Sequence, residues 1–438
     1  MHEPINHPGS EAAGPAVIPR TEHRLDPGQI SPSALHVVGR LVDQGFAGYV
    51  VGGGVRDLLL GIPPKDFDVA TSARPEDVRR LFRHSRIIGR RFRLVHVFFG
   101  QEIVEVATFR RGNAGTERTH PQFETTASGR LLRDNLYGSE REDAFRRDFT
   151  LNALYFDAVQ GTIRDWVGGF DDLRDGIIRL IGDPEARYRE DPVRMLRAVR
   201  FQAKTGFPLE AATAAPLRRL AALLTTVPPA RLFEEVGKLL LFGQALRNFT
   251  GLVDQGLLKP LFPWTAEWLE ADIEGMHRAL VERVLRIADE TPRERGDQSL
   301  ILILSGFFWG AARQYMRWHE NEGMDSVVAM HRALHILMRE QQKHVSIPRR
   351  IVDPVESLLV HQIRLDQGTA QPAASRLLHH PAFAASLDFL RLRAQVGDAS
   401  ADLETGWRDY AASTPVETSV PGSDHVRRRR RRRPRRII

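Results

Sequence analysis

Apolar and polar positions follow two different rhythms along this chain, and the rhythm changes near residue 180. In the first part the apolar runs are short. Ile18-Pro19-Arg20 reads as an extended lead-in, and Ser31 or Ser33 caps a helix reaching about Gln44, just before Gly45. Tyr49-Val50-Val51 predicts a strand, Gly52-Gly53-Gly54 a turn, and Val55 to Leu60 a short helix that Gly61 stops. After the Pro63-Pro64 turn, Phe67 to Ala70 predicts a second strand. Pro75 opens a helix continued by Glu76 to Phe82. Two β-rich runs, Arg93 to Phe99 and Glu102 to Phe109, join through Gly100-Gln101 as a hairpin. Residues Arg111 to Arg133 are rich in Gly, Thr and Ser and read as a flexible loop. From Leu180 to about Trp407 the pattern is helical, punctuated by Pro208, Pro228-Pro229, Pro260, Pro263 and Pro348. Leu300 to Trp309 is the most apolar run, too short to span a bilayer, and reads as a buried helix. No internal repeat is present. The pattern predicts a small α/β head, a long all-helical portion and a loose tail.

The order of pieces between residues 49 and 68 carries chemistry. Three glycines let the backbone turn tightly and come close to a ligand, with no Cβ in the way. The helix that follows begins with free N–H groups and a partial positive charge, which favours a phosphate. Asp66 and Asp68 stand at i and i+2 of an extended segment and so point to one face. Two such carboxylates repel each other unless a cation lies between them. Hard oxygen ligands beside phosphates imply magnesium and two-metal phosphoryl transfer. Alone, an Asp-x-Asp is usually a solvated strand end and a glycine run a plain turn. Together, in this order, they resemble the nucleotidyltransferase superfamily that includes DNA polymerase β. The Gly-Gly-x-Val-Arg-Asp form resembles its branch of tRNA CCA-adding enzymes and bacterial poly(A) polymerases.

Composition narrows the setting. The 438 residues allow two to four domains, and the absence of cysteine excludes disulfides and zinc–thiolate sites. Met1 to Pro15 is polar and has no apolar core, so it does not read as a secretory signal; the expected localisation is cytoplasmic. The net charge is +7, but nine arginines lie between Arg427 and Arg436, so the rest of the chain is slightly acidic. Such a block repels itself and is expected to be disordered and to attract a polyanion. RNA is the first expectation, an anionic membrane surface or RNA-decay proteins the second.

Three further segments add candidates. Glu105 interrupts the apolar alternation Ile103-Val104-Glu105-Val106-Ala107, as an exposed face or as a third metal-site carboxylate. Glu142 to Ala153 resembles the Arg-Arg-Asp-Phe-Thr-x-Asn motif of the same branch. That resemblance gives Arg147 a nucleotide contact and counts Asp148 among the catalytic carboxylates, ahead of Glu105. In Tyr188 to Phe201, Asp191-Pro192 starts a helix on which Arg194, Arg197 and Arg200 form a basic ridge, with Val193, Leu196 and Val199 packing the adjoining side. An amphipathic helix with a solvated basic face has the same pattern. The segment resembles the Glu-Asp-x-x-Arg-x-Leu-Arg-x-x-Arg-Phe motif, which implies that Asp191 and Arg194 read the base edge and that Arg197 and Arg200 hold the triphosphate. Arginine and aspartate suit base reading because they present a donor fork and an acceptor pair. Finally, Gly89 to His96 (Gly-Arg-Arg-Phe-Arg-Leu-Val-His) is similar to a stretch of bacterial poly(A) polymerases, as is the Arg-rich C-terminus.

The resemblance implies an α/β nucleotidyltransferase head with a DNA polymerase β-like palm, then an all-helical neck and body, with disordered termini. The divisions are a lead-in over 1–30, the head over 31–180, the neck over 181–240, the body over 241–412 and the tail over 413–438. It implies template-independent addition of AMP from ATP to RNA 3′ ends. Asp66 and Asp68 then hold magnesium, Asp148 completes the catalytic carboxylates, and Gly53, Arg56, Arg147, Arg197 and Arg200 position the triphosphate. A tRNA CCA-adding enzyme shares every motif except the Arg-Arg-Phe-Arg-Leu stretch and the tail. A non-catalytic RNA-binding protein is the reading of another class, and the intact Asp66/Asp68 pair speaks against it.

Overall fold

The computed structural model describes residues 14–89, 93–111, 124–125, 131–133, 136–372 and 374–414. The expectations placed on Arg90 to Phe92, on most of the loop before Arg133, and on both chain ends lie outside these residues. Within them the head contains strands β1 (Ala16–Ile18), β2 (Gly48–Val51), β3 (Asp68–Thr71), β4 (Ser85–Ile88), β5 (Leu94–Phe99), β6 (Glu102–Thr108), β7 (Glu124–Thr125), β8 (Leu131–Arg133), β9 (Leu154–Asp157) and β10 (Thr162–Asp165). Eight form one sheet in the order β1-β10-β9-β2-β3-β6-β5-β4. Every pairing is antiparallel except β3 with β6, which is parallel. β7 and β8 pair with each other inside the segment that reads as loop, since Glu124–Thr125 and Leu131–Arg133 supply enough extended backbone for a short ladder.

Local chemistry explains the elements that carry the site. Ser31 caps the helix Pro32–Asp43 by accepting from the Ala34 N–H at 3.0 Å, and Ala34, Val37, Val38 and Leu41 form its buried stripe against the sheet. The helix Gly53–Leu59 starts two residues earlier than the pattern predicts. Gly52 has φ = 77°, a left-handed conformation open to glycine, so β2 turns straight into the helix. The second strand also moves by one: β3 begins at Asp68, and Asp66 lies just before it. The head core collects Val50, Val69, Val106, Leu154, Phe156 and Ile163 from the sheet with the Pro32–Asp43 stripe.

Beyond residue 180 the elements are helical. The helix Val193–Thr205 buries Val193, Leu196 and Val199, as its spacing predicts, and also Met195, Ala198 and Phe201. One large core runs from Phe149 through this helix into the body, where Phe307, Phe308 and Trp309 are buried on the 26-residue helix Gly296–Asn321. A satellite core around Leu365, Leu390 and Trp407 closes the C-terminal helices. Among the described residues no helix is long and apolar enough to cross a membrane.

Candidate active site

The site grows from the glycine turn. Gly54 packs directly on the segment before β3: a Cβ there would lie 3.0 Å from Phe67 Cδ1 and 3.2 Å from the Asp66 carbonyl oxygen. At Gly52 a Cβ would stand 3.7 Å from Arg147 Nη1 and 3.9 Å from Asp68 Oδ2. Arg147 and Asp68 therefore meet above the turn, brought together from positions far apart in the chain. Asp68 is paired in register with Val51 on one side and Glu105 on the other. Burial, then the charges of Glu105 and Asp66, push the Asp68 carboxyl up to about 6 against the opposing effect of Arg147. Glu105 also faces His96 across β5, with Nε2 at 3.2 Å from Oε1. Three carboxylates thus act electrostatically on one spot, although no three acidic or histidine side chains converge to a metal-ligating group among the described residues.

Arg147 caps the helix Glu140–Arg146 and is held from behind. Its guanidinium donates to Asp143 Oδ2 and to the Tyr155 hydroxyl at 3.0 Å and lies 5.1 Å above the Tyr155 ring. Asp143 is buried; burial pushes its carboxyl up, but Arg147, Arg146 and the Tyr155 hydroxyl outweigh this and hold it at about 2. Asp148 points elsewhere. It forms an ion pair with Arg197 and accepts from the Phe149 N–H and the Asn152 side-chain amide. Burial would raise it, yet Arg197 and these donors bring it to about 2. The parallel β3–β6 pairing thus sets Glu105 in register with Asp68, while the Asp148 carboxylate is engaged by Arg197, the Phe149 N–H and Asn152.

The basic ridge divides into separate tasks. The buried Phe201 ring is approached by three guanidiniums, Arg56 at 5.0 Å, Arg197 at 5.4 Å and Arg200 at 5.3 Å. Arg200 makes no hydrogen bond or ion pair among the described residues; burial and the neighbouring Arg197 charge lower its proton affinity. Arg56 is only 3 % exposed and fully engaged, donating to Asp57 and to Asn152 Oδ1, while Lys204 reaches Asp57 from the neck. It lies under the turn that Gly53 opens and does not face the open side.

Asp191 and Arg194 lie at the junction between the helices Pro184–Glu190 and Val193–Thr205. Asp191 caps the end of the first helix and accepts a bidentate pair from Arg231 at 2.9 and 2.8 Å. Arg194 donates to Glu190 Oε2 at 2.7 Å. Glu190 also receives Arg187, whose other nitrogen donates to the carbonyls of Arg146 and Arg147 at 2.6 Å each. This chain of contacts fixes the neck helix to the Arg147 segment. Sequence reasoning did not single out Arg231, Arg187, Asp143 or Tyr155. Of these, Asp143 alone carried a local signal, four residues before Arg147 on one helix face.

Residues 48–179 match the family model described as the poly A polymerase head domain. Residues 206–269 match a probable RNA- and SrmB-binding site of polymerase A, and 322–437 the arginine-rich C-terminus of polymerase A. The chain is 42% identical over 426 residues to poly(A) polymerase I of Salmonella typhi, covering 96% of this chain and 91% of that one. A CCA-adding enzyme of Lactobacillus helveticus is 41% identical over 206 residues, 47% of this chain and 49% of its own. The crystal structure of the Bacillus stearothermophilus CCA-adding enzyme in complex with CTP superposes with a TM-score of 0.58 at 28% identity, over 89% of this chain and 85% of that one.

Proposed function

Because this chain belongs to the bacterial poly(A) polymerase family, we propose that its head transfers AMP from ATP to RNA 3′ ends without a template. The observation that carries the reading is the meeting of Asp68, Glu105 and Asp66 with Arg147 above the Gly52 turn. Burial first, and then the neighbouring carboxylates, hold Asp68 near 6, and a cation beside Asp66 and Asp68 would offset both, so these residues fit a divalent ion, in our reading magnesium. When bound, such an ion polarises the terminal ribose hydroxyl and neutralises charge on the phosphates.

The protein's own groups do the rest. Asp66 and Asp68 supply the oxygen ligands, with Glu105 as the third carboxylate of the site. Arg147, Arg197 and Arg200 take the triphosphate; Arg200, over the Phe201 ring, has no carboxylate ion pair among the described residues, and Asp148 holds Arg197 in place. Gly53 lets the backbone come near the phosphates, and Arg56 supports that turn from below. The RNA 3′ oxygen becomes bonded to the α-phosphorus as pyrophosphate leaves. Asp191 and Arg194 read the base edge, held in orientation by Arg231 and Glu190. The working parts follow the divisions 31–180, 181–240 and 241–412, except that β1 (Ala16–Ile18), Leu25 and Ile30 of the expected lead-in join the head sheet and core, with the Arg427–Arg436 tail for RNA and, after it, decay proteins or an anionic surface. A cysteine-free chain suits a cytoplasmic setting.

Incubating the protein with one short RNA and each nucleoside triphosphate singly tests the reading. ATP alone is expected to give long extension. Addition of C, C and A followed by a stop would replace it with the CCA-adding activity.

A further inference from the structure

The helical body contains a cavity of about 470 Å³ that shares no residue with the candidate active site. It opens between the helices Pro263–Ala271 and Gly296–Asn321, the first turn of Met276–Glu290 and the turn at Gly397-Asp398. One wall is the Trp268 indole, laid so closely on the backbone that a Cβ at Gly310 would fall 1.8 Å from its Nε1. His277 stands edge-on to that indole at 6.1 Å and is 7 % exposed, and its Nε2 has no hydrogen-bond partner. An unpaired buried nitrogen is costly, and a ligand in the cavity would satisfy it. Burial pushes His277 down to about 4, against Asp272 and Asp398, so the ring is neutral at physiological pH and offers one donor and one acceptor.

The charges around the opening sort into two kinds. Asp398 is compensated by Arg313, Arg393 and the Trp309 indole N–H. Asp272 lines the cavity, and one of its carboxylate oxygens takes the Arg278 N–H. Arg317 is exposed at the rim and has no hydrogen bond or ion pair among the described residues. The cavity therefore offers a flat aromatic wall, an acceptor for an exocyclic amine, an imidazole for a ring nitrogen and an unpaired cation for a phosphate. We propose that it captures an adenine base of the RNA being extended, upstream of the 3′ end.

The proposal rests on the polyadenylating reading above. It is supported by the match of residues 206–269, which include Trp268, to a probable RNA-binding model. Such a pocket would hold the growing product between additions, because each added residue provides another base of the kind it takes. The amine acceptor favours a base with an exocyclic amine, which uracil lacks, and on the polyadenylating reading that base is adenine; stacking alone accepts any base.

The test uses the full chain with His277→Leu and Arg317→Ala, measured by fluorescence anisotropy on oligoadenylate and oligouridylate of about 20 nucleotides. Each variant is expected to bind oligoadenylate about tenfold more weakly, within the range for one stacked base, and oligouridylate as the wild type does. The KM for ATP on a saturating short primer should not change. His277→Leu should melt no lower than the wild type, since it removes an unpaired buried polar atom. Unchanged oligoadenylate binding by both variants overturns the pocket, and equal losses on both RNAs overturn its adenine preference. Failure of the wild type to extend any RNA with ATP would instead sink the polyadenylating reading.

Discussion

Asp143 never faces the open side of the site, yet it holds the arginine that does. Its carboxyl is depressed from 3.8 to about 2, so its stabilising effect is full above the ordinary value and is lost as pH falls through the depressed one. The effect amounts to about 2 kcal/mol. Asp143→Asn is expected to destabilise the protein by about 2–4 kcal/mol at neutral pH, since it leaves buried cations under-compensated. In urea melts the gap to the wild type should shrink as pH drops from about 4 towards 2; a gap independent of pH would contradict this account. Asp68→Asn has the opposite character. It should lower elongation by about a thousandfold while raising the melting temperature in metal-free buffer, because one of three mutually repelling carboxylates is gone. A lower melting temperature would remove the repulsion from the argument. Gly54→Ala places a methyl against Phe67 and the Asp66 carbonyl, and overpacking of this kind costs about 1–3 kcal/mol. The same displacement of Asp66 should reduce kcat, measurable with saturating ATP and primer.

At the level of elements, the neck helix Val193–Thr205 joins the head both through the apolar core, where the Phe201 and Phe149 rings meet at 5.3 Å, and through charged contacts. Arg197 with Asp148, Arg187 with the Arg146 and Arg147 carbonyls, and Lys204 with Asp57 all cross that junction. Arg197→Met leaves Asp148 buried with only two donors and is expected to cost about 2–4 kcal/mol. In a double-mutant cycle with Asp148→Asn, the coupling should be about 1–3 kcal/mol. Additive losses would mean that the pair does not clamp the two elements together.

For the molecule as a whole, the prediction concerns charge. Arg427 to Arg436 carry more positive charge than the whole chain nets. Truncation at Arg427 should leave extension on saturating RNA at low salt unchanged. If four of these arginines neutralise phosphates, the full chain's log affinity should fall with log salt more steeply than the truncated one's, by a slope of roughly 3. The comparison needs only RNA binding measured across a salt series. Equal slopes would exclude RNA as the partner of the tail.

What the sequence determined by itself is whatever depends on neighbours along the chain. The glycine turn, the Ser31 cap, the aspartate pair at the start of β3 and the hairpin at Gly100-Gln101 follow from spacings of a few residues and stand within two residues of their expected places, and the helical body follows the same local periodicity, running on to Ser413. The fold class followed from the same signals taken in order. The tertiary structure decided which distant groups meet. Glu105 comes to Asp68 only because β3 and β6 pair in parallel, which no local pattern specifies. Arg56 and Arg147 are both arginines near motif residues, but one is buried beneath the turn and the other stands above it. Asp191 owes its orientation to Arg231, brought in by a different helix. Register, burial and long-range ion pairing arise when whole elements pack, so the chain's periodicity announces the elements and leaves their partners to the fold.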